Sequence, residues 1–237
     1  NGIRVKFKDA NDQDAQWTIP FTELFAYMNE NMIPETEKDN YVQYREAVKE
    51  KLGKKRVALS FDDGPSPELT PKVLDLLKQY NAHATFYIVG SHVEGNEAII
   101  RRMVDEGHEL GNHSYSHPLL PKKSADEVYK QVHDTSDLIA KATGGLKPMS
   151  LRPPYGGYNK MVADQAGIAI VNWSIDSLDW QYRDAAKTIA HIKENTHNGG
   201  ILLMHDIHAE SVEALPSVLK YLTSEGYELV SVEELMA

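Results

Sequence analysis

From residue 55 onward the chain alternates short apolar runs with longer stretches in which apolar positions recur every three to four residues. The runs lie at 57–61, 84–89, 108–111, 150–152, 168–175, 201–205 and 227–230. A strand buried on both faces reads as an unbroken apolar run, whereas a helix packed on one side reads as a period near 3.6. One helix start is explicit: Ser124-Ala125-Asp126-Glu127 has capping-box spacing, and Val128, Val132, Leu138 and Ile139 behind it share a face. Gly107, Gly144, Gly167, Gly199 and Gly226 stand where helices should stop. Repeated βα alternation predicts an α/β fold, a parallel sheet with helices packed outside, either an open doubly wound sheet or a barrel. About seven strands without a glycine-rich dinucleotide fingerprint favour a barrel, an irregular one.

Upstream of residue 55 the pattern is shorter and different. Ile3, Val5 and Phe7 alternate with Arg4 and Lys6 as in a strand, a turn rich in Asp and Asn follows, and an aromatic segment runs from Trp17 through Phe21 to Tyr27. Residues 1–31 are too few for a complete domain. Residues 32–54 read as a linker and then a helix opened by Asp39, with Tyr41, Tyr44, Val48 and Leu52 on a helical period and Gly53 ending it. Because the chain starts inside a strand-like alternation, it is expected to be a piece of a longer protein, with any export signal or anchor outside it.

Composition narrows the chemistry. With 41% hydrophobic residues the chain can bury a sizeable core, and a formal net charge of -10 argues against a nucleic-acid partner, which calls for a basic stripe to neutralise phosphates. There is no cysteine, so a transition metal must sit on His, Asp or Glu, and no disulfide framework exists. No apolar run approaches the roughly 18 residues of a membrane span.

Polar residues interrupt the strand pattern at one kind of place. Asp62 and Asp63 follow the first run, His113 and His117 the third, Arg152 and Tyr155 the fourth, Asp176 and Asp179 the fifth, and His205 ends the sixth. In a parallel barrel all strand C-termini lie on one face, so these residues converge although they are far apart in sequence. Each alone has a bland reading: two loop histidines, a solvated acidic turn, a proline-stiffened surface arginine, a satisfied core histidine. Together they assemble a set. Two imidazoles plus the Asp63 carboxylate leave open positions on a metal, as catalysis requires. On a strand, successive side chains point to different sides, so Asp62 is free for another task. Arg152, ahead of Pro153 and Pro154, has a restricted backbone suited to holding a carboxylate. A carboxylate such as Asp179 would keep His205 protonated as a general acid.

In order and spacing, Ser60-Phe61-Asp62-Asp63-Gly64, His113-Ser114-Tyr115-Ser116-His117, Arg152-Pro153-Pro154-Tyr155, Asp176-Ser177-Leu178-Asp179-Trp180 and Leu203-Met204-His205 resemble the five motifs of the NodB-homology polysaccharide deacetylases, carbohydrate esterase family 4. The resemblance covers residues 55–237, the expected catalytic domain. Ser60 stands where the family commonly has threonine. The resemblance implies a distorted (β/α) barrel and a divalent metal, zinc or cobalt and in some members manganese or nickel, on Asp63, His113 and His117. It further implies Asp62 as general base, His205 as general acid partnered by Asp179, Arg152 bracing Asp62, and Asp176 orienting Arg152. The Tyr155 backbone N–H would hold the oxyanion, and Trp173, Leu203, Trp180 and Tyr155 would line the sugar groove. Residues 1–31 resemble, more weakly, the end of a small α/β module ahead of the catalytic domain in peptidoglycan deacetylases of Gram-positive bacteria. Peptidoglycan N-acetylglucosamine is thus the expected substrate, met by a monomer at the cell surface or outside the cell. Relatives with the same residues act on chitin, chitooligosaccharides and acetylxylan. Two rivals stand beside this reading. Fe(II) oxygenases also use two histidines and a carboxylate, but that leaves Asp62, Arg152, Asp179 and His205 without roles. A glycan-binding module that has lost its activity would keep the groove.

Overall fold

The structure, a computed structural model, describes residues 2–8, 14–20, 35–43 and 53–237. It divides into two compact units, Asn1–Lys54 and Lys55–Ala237. In the first, β1 (Gly2–Lys8) pairs antiparallel with β2 (Asp14–Pro20), so that Val5 lies opposite Trp17. A 3₁₀ turn at Glu35–Glu37 leads into helical residues 38–43. The remainder of the helix expected from Asp39, and the aromatic segment beyond Pro20, lie outside the described residues.

The second unit alternates strand and helix: β3 (Lys55–Asp62), α1 (Thr70–Gln79), β4 (Ala84–Ile88), α2 (Glu97–Asp105), β5 (Glu109–Asn112), α3 (Ala125–Thr143), β6 (Ser150–Leu151), α4 (Lys160–Ala166), β7 (Ala169–Ile170), β8 (Ile175–Asp176), α5 (Asp179–Tyr182), α6 (Ala185–Asn195), β9 (Gly200–His205), α7 (Ala209–Ser224), β10 (Tyr227–Val230) and α8 (Val232–Met236). The capping box at Ser124 forms as its sequence requires, and α3 ends on Gly144 in left-handed backbone, φ 79°. Among the described residues no helix is long and apolar enough to cross a membrane.

Seven strands follow the order β7-β6-β5-β4-β3-β9-β8, and β10 pairs with the first half of β3 while β4 pairs with the second half. Every pairing in this sheet is parallel. The expected single strand at 168–175 is instead two: β7 pairs with β6, and β8 with β9 at the opposite end of the sheet. Its apolar run hides the break, which only Asn172 and Ser174, poor strand formers, mark. The break shapes the whole unit. Laid flat, seven strands about 4.8 Å apart would separate the two edges by about 29 Å. The chain from Ile170 to Ile175 reaches about 18 Å at most. The sheet therefore curls into a distorted (β/α) barrel whose seam is crossed by the segment 171–174.

Strand alternation sorts side chains between the lumen and the helices. Val57, Leu59 and Phe61 of β3 and Leu202 and Met204 of β9 pack under the surrounding helices in one large core with Leu74, Leu77, Phe86, Ile100 and Leu215. Residues in the opposite phase, Ser60, Asp62, Leu203 and His205, face inward at the C-terminal end of the strands. Fully burying each such large apolar side chain contributes about 1.5–3 kcal/mol, and this outer core leaves the inner face free to carry polar groups.

Candidate metal and acid–base site

Asp62 closes β3 in phase with Ser60, so both side chains enter the lumen, and Arg152 bridges them, its NH1 donating to Ser60 Oγ and to Asp62 Oδ1 at 2.8 Å each. Arg152 is itself wholly buried. Its Nε and NH2 donate to the Val171 and Asn172 carbonyl oxygens at 3.2 and 3.0 Å, and the guanidinium lies 4.0 Å from the centre of the Tyr87 ring. A buried charge so surrounded is fixed in orientation.

Asp63 has already left the strand, at φ 74°. Its Oδ1 lies 3.4 Å from His113 Nε2 and 3.3 Å from His117 Nε2 and is buried with no hydrogen-bond partner among the described residues. His113 Nδ1 is 2.6 Å from the Arg152 carbonyl oxygen. A carbonyl only accepts, so Nδ1 carries the proton, and Nε2 of the neutral ring offers a bare lone pair. Lone pairs on imidazole and carboxylate then face each other at 3.4 Å, a repulsive arrangement that a cation resolves. In a tetrahedral site with bonds of about 2.1 Å, neighbouring ligand atoms lie about 3.4 Å apart. The donor set and spacing thus fit a divalent transition metal, and the three groups form a compact potential ligand set. Burial pushes the Asp63 carboxyl up, but whenever no cation lies between the groups, protonation of the imidazoles around it, His113 first with His117 and His205 adding, outweighs burial and holds the group at about 2, so the carboxylate stays ionised.

Across the lumen, His205 ends β9 with Nδ1 2.7 Å from Asp179 Oδ1. Asp179 also accepts from the His205 and Trp180 backbone N–H groups and from Ser211 Oγ. Burial disfavours the imidazolium, yet the Asp179 hydrogen bond and charge, with Asp62 and Asp63 behind, raise His205 to about 9. The ring is therefore cationic at neutral pH. The Tyr155 N–H, at φ 59° in the short turn Pro154–Gly156, finds no backbone acceptor among the described residues, and its ring lies 4.7 Å from that of His117. A pocket of about 370 Å³ joins these groups, lined by Asp62, Asp63, His113, His117, Tyr155, Trp173, Asp176, Trp180, Leu203 and His205.

The sequence model of the polysaccharide deacetylases matches residues 49–171. The chain belongs to the polysaccharide deacetylase family. It is 41% identical over 217 residues to the peptidoglycan-N-acetylglucosamine deacetylase PgdA of Listeria monocytogenes, covering 92% of this chain and 45% of that protein. It is 42% identical over 181 residues to the peptidoglycan-N-acetylmuramic acid deacetylase PdaC of Bacillus subtilis, covering 76% and 38%. The chain thus spans less than half the length of these curated relatives. The solved structure of PdaC superposes with a TM-score of 0.76 at 41% identity, covering 78% of this chain and 91% of that one.

Within this deacetylase fold, ten of the twelve residues singled out from the sequence line the pocket, and the other two, Arg152 and Asp179, stand directly behind Asp62 and His205. Among the described residues no direct hydrogen bond or ion pair joins Asp176 to Arg152, which it was expected to orient; its Oδ1 accepts the Leu178 N–H at 2.9 Å and caps the turn into α5, while the crossing segment 171–174 supplies the carbonyls that Arg152 uses. Other supports went unread in the sequence. Asn112, fully buried, holds the histidine loop by accepting the Ser114 N–H and donating to Val132 and Ser136 of α3. Ser60 gives its proton to the Leu202 carbonyl while taking one from Arg152. A polar residue inside the apolar run 57–61 was the available signal for Ser60; Asn112, just past the end of its run, offered none.

Proposed function

We propose that this chain hydrolyses the acetamide of N-acetylated sugar residues in peptidoglycan, N-acetylglucosamine foremost, with a zinc or cobalt ion held by Asp63, His113 and His117. The observation that carries the reading is the partnerless Asp63 Oδ1, facing two imidazole nitrogens at 3.3–3.4 Å on a pocket that also holds Asp62 and His205. A cation bound there polarises a carbonyl and lowers the pKa of a coordinated water. The protein supplies the rest. Asp62, its Oδ1 fixed by Arg152, accepts the proton of the attacking water. The Tyr155 N–H donates to the oxygen on which negative charge develops. His205, kept protonated by Asp179, gives its Nε2 proton to the departing sugar nitrogen, so the amine leaves neutral and acetate remains. Trp173, Trp180 and Leu203 offer apolar walls to the sugar ring and acetyl methyl. A protein acting on such a substrate works at the cell surface or outside the cell.

The test is acetate release from purified peptidoglycan and from chitopentaose, using metal-stripped protein with and without added zinc or cobalt. Metal-dependent acetate from peptidoglycan supports the reading; acetate from chitopentaose alone moves the substrate to chitin-like polymers. Because PdaC is named for muramic acid, the products are also sorted by which amino sugar has lost its acetyl group. Sugar binding without acetate from either polymer leaves a binding module.

A further inference from the structure

Among the described residues of the second unit, the catalytic reading leaves one buried acid without work. Asp206 follows His205 at the end of β9 and is wholly inaccessible. Its Oδ2 takes the Thr70 hydroxyl proton, and Thr70 Oγ1 accepts the Ser66 N–H at 2.8 Å, so a chain of bonds runs from the end of β9 into the loop between β3 and α1. Its Oδ1 is buried with no hydrogen-bond partner among the described residues, and burial pushes the carboxyl up to about 7. A half-satisfied acid in such a place is costly, and it lines no part of the pocket. What it touches is Gly64, where a Cβ would collide with both carboxyl oxygens. Gly64 does not occupy left-handed backbone, so the need for glycine arises from this close approach.

Gly64 directly follows Asp63, whose φ of 74° is sparsely populated by non-glycine residues and persists only when its surroundings over-determine it. Three contacts do so. His92 Nδ1 donates to the Asp63 carbonyl at 2.9 Å, the Val89 N–H donates to the Gly64 carbonyl at 3.0 Å, and the Asp206 carboxyl covers the Gly64 Cα.

We propose that Asp206 is a positioning residue: by packing on Gly64 and anchoring Thr70, it holds the turn that presents Asp63 to the metal. This rests on the reading of Asp63 as a ligand. It acts through shape and hydrogen bonding, so Asn should replace it and Ala should not. Zinc affinity is measured by competition with a chelator in the wild type, Asp206→Asn, Asp206→Ala, Gly64→Ala and the double variant Gly64→Ala/Asp206→Ala, with thermal unfolding of each metal-free protein as the check on folding. Asp206→Ala should bind zinc about 10- to 100-fold more weakly, recover kcat at saturating zinc, and leave KM unchanged, whereas Asp206→Asn should stay within about threefold of wild type. Gly64→Ala should bind zinc poorly, and adding Asp206→Ala should restore part of the loss by removing the collision. Wild-type affinity in Asp206→Ala, an equal loss in Asp206→Asn, or a double variant no better than Gly64→Ala would each overturn the inference. A wild type that takes up no zinc would overturn the ligand assignment itself, and this inference with it.

Discussion

A carboxylate oxygen that faces two imidazole nitrogens at 3.3–3.4 Å joins Asp63, His113 and His117, whereas Asp62, one position away, is already paired with Arg152. That difference makes the two neighbouring carboxylates separable by mutation. Asp62→Asn should keep wild-type zinc stoichiometry and lose kcat by about 10²–10⁴, the usual worth of a general base; loss of zinc in this variant would contradict the division of labour. His205 offers a second check that needs no metal. In metal-free protein its imidazole should titrate by NMR near 9, and Asp179→Asn should bring it down toward the ordinary 6.5, because the carboxylate that does most to outweigh burial is then gone. Since the folded pKa lies above the unfolded one, the stability contributed by the protonated His205 is fully present just below about 6.5 and is lost as pH rises through about 9, while at acid pH protonation of Asp179 removes the pair. A His205 signal titrating near 6.5 in the wild type would remove it as the neutral-pH acid. The chemistry-bearing residues were readable because they break apolar runs at strand ends. Asn112, Asp206 and Ser211 were not, since nothing in a sequence distinguishes a buried polar residue with partners from an exposed one.

Helix starts carried the clearest local instructions, and strand ends the weakest. Ser124 accepts the Glu127 N–H while the Glu127 carboxylate accepts the Ser124 N–H, the reciprocal pair that the spacing of the two residues encodes. Ser124→Ala should therefore cost about 1 kcal/mol of stability, read by urea unfolding with an unchanged m-value, and should leave zinc binding intact because α3 supports the histidine loop farther along, at Val132 and Ser136. A loss of zinc would mean that the start of α3 also shapes the loop. The misreading at 168–175 has the opposite origin. Strands of two residues carry no periodicity, and whether an apolar run continues in one strand or crosses to another is decided by pairing with β6 and β9, residues remote in sequence. Alternating β and α signals were enough for the barrel class; where its seam falls depends on long-range register.

Closure of the barrel and construction of the site meet in Arg152. The seam between β7 and β8 is crossed by 171–174 without strand pairing, and the same guanidinium that braces Asp62 binds the Val171 and Asn172 carbonyls of that crossing while lying on the Tyr87 ring of β4. One side chain thus links the central strand β3, its neighbour β4 and the seam, which is why an arginine side chain with 0% exposure is tolerated beside a carboxylate with 4%. Lysine, a point donor, cannot serve these acceptors in one plane. Arg152→Ala should therefore destabilise the fold by about 3–5 kcal/mol, the cost of leaving a buried partner charge unmatched, and should abolish activity even where zinc is still bound. If the variant unfolds too readily to assay, the double variant Arg152→Ala/Asp62→Asn decides the matter. Removing the stranded charge should recover a measurable part of the stability, because much of the penalty belongs to the unpaired Asp62. Equal melting of the single and double variants would instead assign the loss to the seam carbonyls and the Tyr87 contact, making Arg152 first a closure residue and only second a brace for the base.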